Sequence, residues 1–180
     1  MFVTCEEEEV AMNRTTKSPF RPMMREAYRV AFEASTDRST KNGAIIVGKR
    51  GDILVSGANA FIDPAMANDM ANHERPRKYK LTEHAERAAI YEAAFHGVSL
   101  RGLTMVCPWA CCSDCARAIV LSGISLVIAH QQAFDMTPDR WKEEVALGIE
   151  ILESCGVCYT LYDGEVDEIE NLFNGRIWFP

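Results

Sequence analysis

Two short clusters of side chains in this sequence have the residue types and spacing of a metal centre. The first is His84-Ala85-Glu86, and the second is Cys112-Ser113-Asp114-Cys115. Histidine nitrogen and cysteine sulfur are ligands that Zn²⁺ prefers, and three protein ligands leave a tetrahedral zinc with one open position. An open zinc lowers the pKa of bound water to near neutral. Because Glu86 lies close to His84 in the chain, its carboxylate could transfer protons of that water. The pattern predicts hydrolytic chemistry at a zinc ion.

Each cluster is predicted to lie at the start of a helix. The spacing of Cys112 and Cys115 places both sulfurs on one side of a helical turn. The partial positive charge of a helix N-terminus favours thiolates and therefore supports cysteine ligands. We expect two helix N-termini to converge on the metal.

Helical and strand patterns alternate along the chain, which predicts an α/β fold with a mixed five-stranded sheet flanked by helices. The predicted helices span 18–35, 86–95, 112–121 and 137–154, and the predicted strands span 44–48, 53–57, 103–107, 125–129 and 157–161. Between them, residues 59–82 form a long irregular segment rich in Asn, Asp, Pro and charge. Long loops in compact domains are often functional, so we expect this segment to wall a substrate site.

The composition suits one globular domain. The chain has 180 residues, 48% of them hydrophobic, and a net charge of −7. We assign residues 18–162 to the domain, 1–17 to an acidic tail expected to be mobile, and 163–180 to a tail expected to pack or to form a subunit contact. The acidic charge argues against nucleic acid as a partner, because that usually requires a basic face. The sequence lacks the apolar run of a membrane span and the charge pattern of a signal peptide, which favours the cytoplasm.

The seven cysteines are expected to be ligands, buried apolar groups or free thiols rather than disulfides. A second pair, Cys155 and Cys158, could complete a four-cysteine zinc ribbon with Cys112 and Cys115, or act as a redox couple. Its position at a helix-to-strand turn favours two buried cysteines instead.

Further segments near the clusters carry a family resemblance: 35–44 before the first strand, Gly57-Ala58-Asn59, 75–79, and 115–119. Together with the two clusters they resemble the zinc-dependent cytidine/deoxycytidylate deaminase superfamily, and most of all the deoxycytidylate (dCMP) deaminases. The similarity covers roughly residues 20–160. It implies a three-layer fold of the cytidine deaminase kind and hydrolytic deamination of dCMP to dUMP and ammonia in pyrimidine deoxynucleotide metabolism.

The resemblance also implies residue roles. Zinc would be held by His84, Cys112 and Cys115, and Glu86 would transfer protons between water, the ring and the leaving amine. The implied substrate contacts are Asn59 for a sugar hydroxyl, the backbone near Ala85 and Trp109 for the base, and Lys41 with Ser39 for the phosphate, with Arg75 and Arg77 as rivals.

Two positions depart from the family pattern. Cys111 stands where the family usually has proline before the first zinc cysteine, so Cys111 competes with Cys112 as a ligand. Cys112 is favoured because it keeps the helical spacing to Cys115. Ala58 stands where the family often has an aromatic residue.

Other functions stay open at this point. A related deaminase could act on cytidine, deoxycytidine, guanine or an adenosine in tRNA, and a zinc-binding regulatory module could lack activity altogether. The resemblance further implies a homo-oligomer, commonly a hexamer, which in some members is regulated allosterically by dCTP and TTP.

Overall fold

The computed structural model describes residues 18–166 and 169–180. The acidic tail predicted over residues 1–17 lies outside the described part of the chain. The helices are α1 (Phe20–Ala34), α2 (Lys78–Leu81), α3 (Ala85–Phe95), α4 (Ser113–Ser122), α5 (Gln131–Asp135) and α6 (Asp139–Ser154). The strands are β1 (Gly43–Val47), β2 (Ile53–Ala58), β3 (Ala60–Phe61), β4 (Thr82–Glu83), β5 (Thr104–Val106), β6 (Leu126–His130), β7 (Cys158–Tyr162), β8 (Asn171–Phe173) and β9 (Arg176–Trp178).

Five strands form the central sheet in the order β2-β1-β5-β6-β7. Strand β1 pairs antiparallel with both β2 and β5. Strands β5, β6 and β7 run parallel, and α4 and α6 connect them in sequence. The sheet confirms the predicted mixed α/β fold.

Apolar side chains on both faces of the sheet create two cores. All five residues of β1 are buried, because alternate side chains face opposite layers. Ile45 and Val47 pack with α1, whereas Ala44 and Ile46 pack with the core formed by α3 and α4. The molecule is therefore a three-layer sandwich with the sheet in the middle.

Two glycines allow helices to lie directly against the sheet. A Cβ on Gly57 of β2 would lie 2.3 Å from the backbone nitrogen of Ala89 in α3. A Cβ on Gly43 of β1 would lie 2.3 Å from the Ala27 carbonyl oxygen of α1. The absence of side chains at these positions sets the depth of α1 and α3, and α3 begins at the predicted metal site.

The long segment 59–82 has more regular structure than its composition predicts. It contains two 3₁₀ turns, Pro64–Asn68 and Met70–His73, together with α2 and the short β3–β4 pair. A buried ion pair joins it to the segment before β1, since Lys78 Nζ lies 2.6 Å from Asp37 Oδ2.

Strands β8 and β9, which follow β7 in the sequence, pair as an antiparallel hairpin. Trp178 of this hairpin packs edge-on against Tyr28 of α1, with ring centroids 5.9 Å apart. Residues that sequence analysis treated as a tail are thus part of the layer that carries α1. Among the described residues, every helix is too short or too polar to form a membrane span.

Candidate active site

Two helix starts bring the predicted zinc ligands together. His84 is the N-cap residue of α3, and Cys112 is the N-cap residue of α4, each with an extended backbone. Cys115 follows in the first turn of α4. Because the two helices pack side by side, their N-termini meet at one place, as the sequence predicts.

The geometry of the three side chains fits a zinc ion. His84 Nδ1 lies 3.5 Å from Cys112 Sγ and 3.5 Å from Cys115 Sγ, and all three candidate ligand atoms lie within 4.8 Å of one another. A tetrahedral zinc with its usual bond lengths would separate a nitrogen from a sulfur ligand by about 3.5 Å. Within residues 18–166 and 169–180, no fourth His, Cys, Asp or Glu joins this cluster. The arrangement matches a zinc with an open position.

The electrostatics of the cluster favour a metal-binding thiolate. Hydrogen bonds from the Cys115 thiol and from His84 lower the pKa of Cys112 to about 4, although burial opposes this shift. Arg87 stabilises negative charge on the sulfur atoms of the cluster, because its Nη1 lies 3.7 Å from Cys115 Sγ. Glu83 in turn holds Arg87 through an ion pair. This cation orients and stabilises the sulfur ligands from outside the cluster.

Glu86 lies in the first turn of α3 and is 3% exposed. Burial raises the pKa of its carboxyl above the ordinary value. A carboxyl whose pKa is shifted toward neutrality can both accept and release a proton near neutral pH. The position of Glu86 beside the metal cluster therefore suits proton transfer.

Cys111 does not join the metal cluster. Its side chain is 1% exposed and packs within the apolar core beneath α3 and α4. Gly148 of α6 passes so close that a Cβ there would lie 2.4 Å from the Cys111 carbonyl oxygen. The core and α6 thus direct Cys112, rather than Cys111, toward His84.

A cavity opens beside the cluster. Its lining includes His84, Glu86 and Cys112 from the predicted metal site. The other lining residues are Asp37, Thr40, Asn42, Asn59, Arg75, Lys78, Tyr79, Thr82, Ala85, Trp109, Ala110, Thr137, Pro138, Arg140, Trp141, Val145 and Phe173. Three predicted substrate-contact residues, Asn59, Ala85 and Trp109, are therefore placed on the cavity wall.

Lys41, a predicted phosphate contact, is not among the residues of the cavity wall. Its neighbours Thr40 and Asn42 line the cavity, and successive side chains in a chain approaching a strand point to opposite sides. The Lys41 ammonium instead donates to the Phe32 carbonyl oxygen and lies 4.8 Å from the centre of the Phe32 ring.

Of the other predicted phosphate contacts, Arg75 lies on the cavity wall, whereas Ser39 and Arg77 do not. Ser39 is not among the lining residues, but Arg75 Nη2 lies 3.5 Å from its hydroxyl oxygen. Arg75 lines the cavity. Arg77 does not, because its guanidinium donates to Asn72 Oδ1 at 2.7 Å.

Asn59 is held firmly by its neighbours. Its Oδ1 accepts from the Ser35 hydroxyl and from the Asn42 backbone N–H, and its Nδ2 donates to the Thr40 carbonyl oxygen at 2.8 Å. One N–H of the amide stays available for a ligand. The network fixes where that N–H can point.

Sequence reasoning missed several cavity residues. Asn42 Oδ1 and Tyr79 Oη are two of them; like Nε1 of the predicted Trp109, they are buried and have no partner among the described residues, so each could bond to a ligand. Arg140 lies near the start of α6, far from both motifs in sequence. Phe173 comes from β8. Asn42 and Tyr79 lie in the segments 35–44 and 75–79 that carry the resemblance. Arg140 and Phe173 lie outside every such segment, so only the fold brings them to the cavity.

The two other candidate cysteines, and His73 of the segment 59–82, lie away from the cavity wall. Cys155 is exposed at the C-terminal end of α6, so the prediction of a buried residue is wrong there. Cys158 is half-buried in β7 and is disulfide-bonded, which corrects the expectation that this chain lacks disulfides. His73 Nε2 bonds with the Ala67 carbonyl oxygen and does not line the cavity.

Comparison with known proteins agrees with this geometry. The family model described as the cytidine and deoxycytidylate deaminase zinc-binding region matches residues 18–131. A protein of Aliivibrio fischeri, called an uncharacterized deaminase in the luxG 3' region, is 34% identical over 124 residues, which cover 68% of this chain and 80% of that protein. The deoxycytidylate deaminase of Enterobacteria phage T4 is 32% identical over 109 residues, covering 60% of this chain and 55% of that protein. The chain thus spans about half the length of the phage T4 relative.

A solved structure shares the fold. It is the dCMP deaminase of cyanophage S-TIM5 in complex with dCMP and dUMP, with a TM-score of 0.56 and 21% identity, covering 82% of this chain and all of that one. The matched region of the family model contains both metal-ligand clusters, and the three clustered side chains fit Zn²⁺. The chain therefore belongs to the cytidine and deoxycytidylate deaminase family of zinc-binding hydrolases.

Proposed function

We propose that this protein deaminates dCMP to dUMP, with release of ammonia. The observation that carries the proposal is the joint presence, in one cavity, of the zinc-type cluster, buried Glu86 and two arginines at the rim. The relative from phage T4 is named a deoxycytidylate deaminase, which favours the same substrate.

The arginines Arg75 and Arg140 supply the argument for a phosphorylated substrate. Both are exposed cavity residues, and within the described residues neither forms an ion pair with a carboxylate. Arg140 donates only to the neutral Asn174 amide, at 3.2 Å. Lys78, the third basic residue of the wall, is already paired with Asp37. We infer that Arg75 and Arg140 bind the phosphate of the nucleotide.

Glu86 performs the proton transfers in this proposal. Water replaces the amino group at C4 of cytosine, so a proton must leave the water and others must reach N3 and the departing amine. A zinc ion held by His84, Cys112 and Cys115 would act as a Lewis acid and lower the pKa of water. Glu86 is the buried carboxyl nearest in sequence to the ligands, and its raised pKa allows it to hold and release the proton.

The remaining cavity residues orient the substrate. The free N–H of Asn59 would donate to a sugar hydroxyl. Asn42 Oδ1, an unpartnered acceptor, would accept from a hydroxyl or amino group of the nucleotide. Trp109, together with the backbone near Ala85, would border the base.

Ammonia release from dCMP, CMP, deoxycytidine and dCTP by the zinc-loaded protein tests this proposal. We expect dCMP to react fastest. Replacing Arg75 or Arg140 with Gln should raise KM for dCMP by about tenfold, the effect of one charge-assisted hydrogen bond, and should leave deoxycytidine turnover unchanged. Arg50→Gln, in the exposed turn between β1 and β2, is the matched control.

Two outcomes would contradict the proposal. Faster turnover of deoxycytidine than of dCMP would show that the phosphate is not recognised. If none of the substrates reacted, the remaining alternatives would be another base, such as guanine, or a zinc-binding module without activity. Ammonia release from guanine separates these: turnover that Glu86→Gln lowers by about 10²-fold or more, with zinc retained, identifies an enzyme.

Assembly and regulation complete the proposal. We infer a homo-oligomer, with a hexamer as the expected size, and effector binding by dCTP and TTP. Sedimentation velocity measures the size of the oligomer, and its change on addition of dCTP or TTP measures the response to each effector. A monomer at all concentrations would overturn this part alone.

A further inference from the structure

The hairpin β8–β9 follows the region that matches the family model, yet it supplies one wall of the cavity. Phe173 is the lining residue that the hairpin contributes. Its ring stacks on Trp109, with centroids 4.6 Å apart and planes 21° from parallel. Because Trp109 belongs to the loop between β5 and α4, this stack joins the hairpin to the loop that leads to the zinc cysteines.

Three hydrogen bonds fix the hairpin to the segment before β1. The Lys41 backbone N–H donates to the Leu172 carbonyl oxygen at 2.9 Å, and the Gly175 N–H donates to the Ser39 carbonyl oxygen at 2.7 Å. The Asn174 backbone N–H donates to the Thr40 hydroxyl at 3.2 Å. On the opposite side, Arg140 donates to Asn174 Oδ1 at 3.2 Å. The hairpin tip is therefore held from two sides of the cavity.

Thr40 places the hairpin tip next to the proposed sugar site. Its carbonyl oxygen accepts from Asn59 Nδ2 at 2.8 Å, while its hydroxyl accepts from the Asn174 N–H. One residue thus separates Asn59 from the tip. Phe173, which precedes Asn174 in the chain, lines the same cavity as Thr40 and Asn59.

We propose that the β8–β9 hairpin blocks extension of the substrate beyond its sugar hydroxyl, and that Phe173 is the residue that determines this specificity. The inference rests on the proposed function, because it takes the substrate to be a nucleotide bound by Asn59. It adds that the cavity accepts a mononucleotide and excludes a cytosine within a polynucleotide chain.

Packing of the hairpin and closure of the cavity depend on different residues. Trp178 and Asn171 anchor the hairpin on the α1 side, where Trp178 contacts Tyr28 and Asn171 is 1% exposed. Phe173 faces the cavity instead. Substitution of Phe173 can therefore open the wall while the anchor stays intact.

The test compares dCMP with a 5'-phosphorylated dinucleotide that begins with deoxycytidine and is extended at its 3' oxygen. Wild-type protein should strongly prefer dCMP in kcat/KM and in affinity measured by titration calorimetry. Phe173→Ala should reduce this preference by about tenfold or more, the usual effect of one pocket group on discrimination. Phe173→Leu should retain most of the preference, because it keeps an apolar wall.

Ile177→Ala is the matched control, since Ile177 lies on the same hairpin, is 60% exposed and does not line the cavity. It should leave the ratio of the two substrates unchanged. Equal effects of Phe173→Ala on both substrates would overturn the inference, as would a wild-type protein that uses both equally well. Failure of every cytosine substrate to react would instead overturn the proposed function.

Discussion

Adjacent cysteines in this protein have opposite environments. Burial raises the pKa of the Cys111 thiol, which is enclosed by the core. Hydrogen bonds lower the pKa of Cys112 to about 4, and its sulfur faces His84. One step along the chain therefore separates an inert thiol from a metal-binding thiolate.

This difference predicts the zinc content of two neighbouring variants. Cys112→Ala should lose zinc, because two remaining protein ligands are too few to hold the ion. Cys111→Ala should keep stoichiometric zinc, even if removal of its buried sulfur lowers stability. Metal analysis of the two purified proteins measures the zinc content of each. Retention of zinc by Cys112→Ala together with loss by Cys111→Ala would reassign the ligand.

Ligand identity was predictable at this scale, whereas side-chain direction was not. The i,i+3 spacing of Cys112 and Cys115 is a local property of a helix, so the sequence favours the pair that the structure places beside His84. Lys41 lies in an irregular segment, where the direction of a side chain depends on distant contacts such as Phe32. Arg140 lies in α6, and only the packing of that helix brings it to the cavity.

At the scale of elements, the depth of α3 against β2 determines where Glu86 and His84 lie. A Cβ on Gly57 would lie 2.3 Å from Ala89 N and 2.8 Å from the Ala85 carbonyl oxygen, so α3 would have to move away from the sheet. Gly57→Ala should therefore lower the free energy of unfolding by about 2 kcal/mol and reduce activity. Chemical denaturation and ammonia release measure these effects. Ser56→Ala, at the exposed neighbouring position, should change neither.

A second prediction concerns the polar contact at the end of β6. His130 Nε2 lies 2.9 Å from the Gly164 carbonyl oxygen, so it carries the proton, and Nδ1 accepts from the Tyr28 hydroxyl at 2.8 Å. These contacts suit a neutral imidazole, and burial lowers the pKa of His130 below its ordinary value of 6.5. The unfolded chain then binds the proton more readily, so stability falls as pH drops through the unfolded-state value and until the folded-state pKa is reached.

Denaturation of the wild type and His130→Gln at about pH 7.5 and about pH 5.5 measures this effect. The wild type should lose more stability between these conditions than the variant does. The exposed His96→Gln serves as the control and should retain the pH dependence of the wild type. An identical pH dependence in wild type and His130→Gln would exclude the assigned role.

Long periodic elements were predictable, and short ones were not. The apolar runs of β1, β2 and β6 and the periodicity of α6 lead to nearly correct bounds, because each carries a repeated local pattern. Strands β8 and β9 have three residues each, too few for such a pattern. They exist because α1 and the segment before β1 bind them, which is long-range information.

At the scale of the whole molecule, zinc would connect two helices that lie in the same layer on one face of the sheet. His84 begins α3, whereas Cys112 and Cys115 begin α4, and both helices contribute to one core. Since the folded state alone assembles all three ligands, zinc binding should stabilise it by mass action, by about 4 kcal/mol when zinc is present at about a thousand times its Kd.

Calorimetric melting with and without a chelator tests this linkage. Chelation should lower the Tm of the wild type markedly. The Tm of Cys115→Ala should already be low and should not respond to the chelator. A wild-type Tm that is unchanged by the chelator would mean that the cluster does not hold a metal in the folded protein.

The distribution of tryptophan gives the molecule an intrinsic optical probe. The chain has three tryptophans, of which Trp109 and Trp141 line the cavity and Trp178 lies 6.2 Å from Trp109, between ring centroids. A nucleotide that enters the cavity would change the polarity around the rings of Trp109 and Trp141. It would affect Trp178 indirectly, because the ring of Trp178 contacts Trp109. Intrinsic fluorescence should therefore follow ligand binding in real time, without a label and before any chemical step occurs.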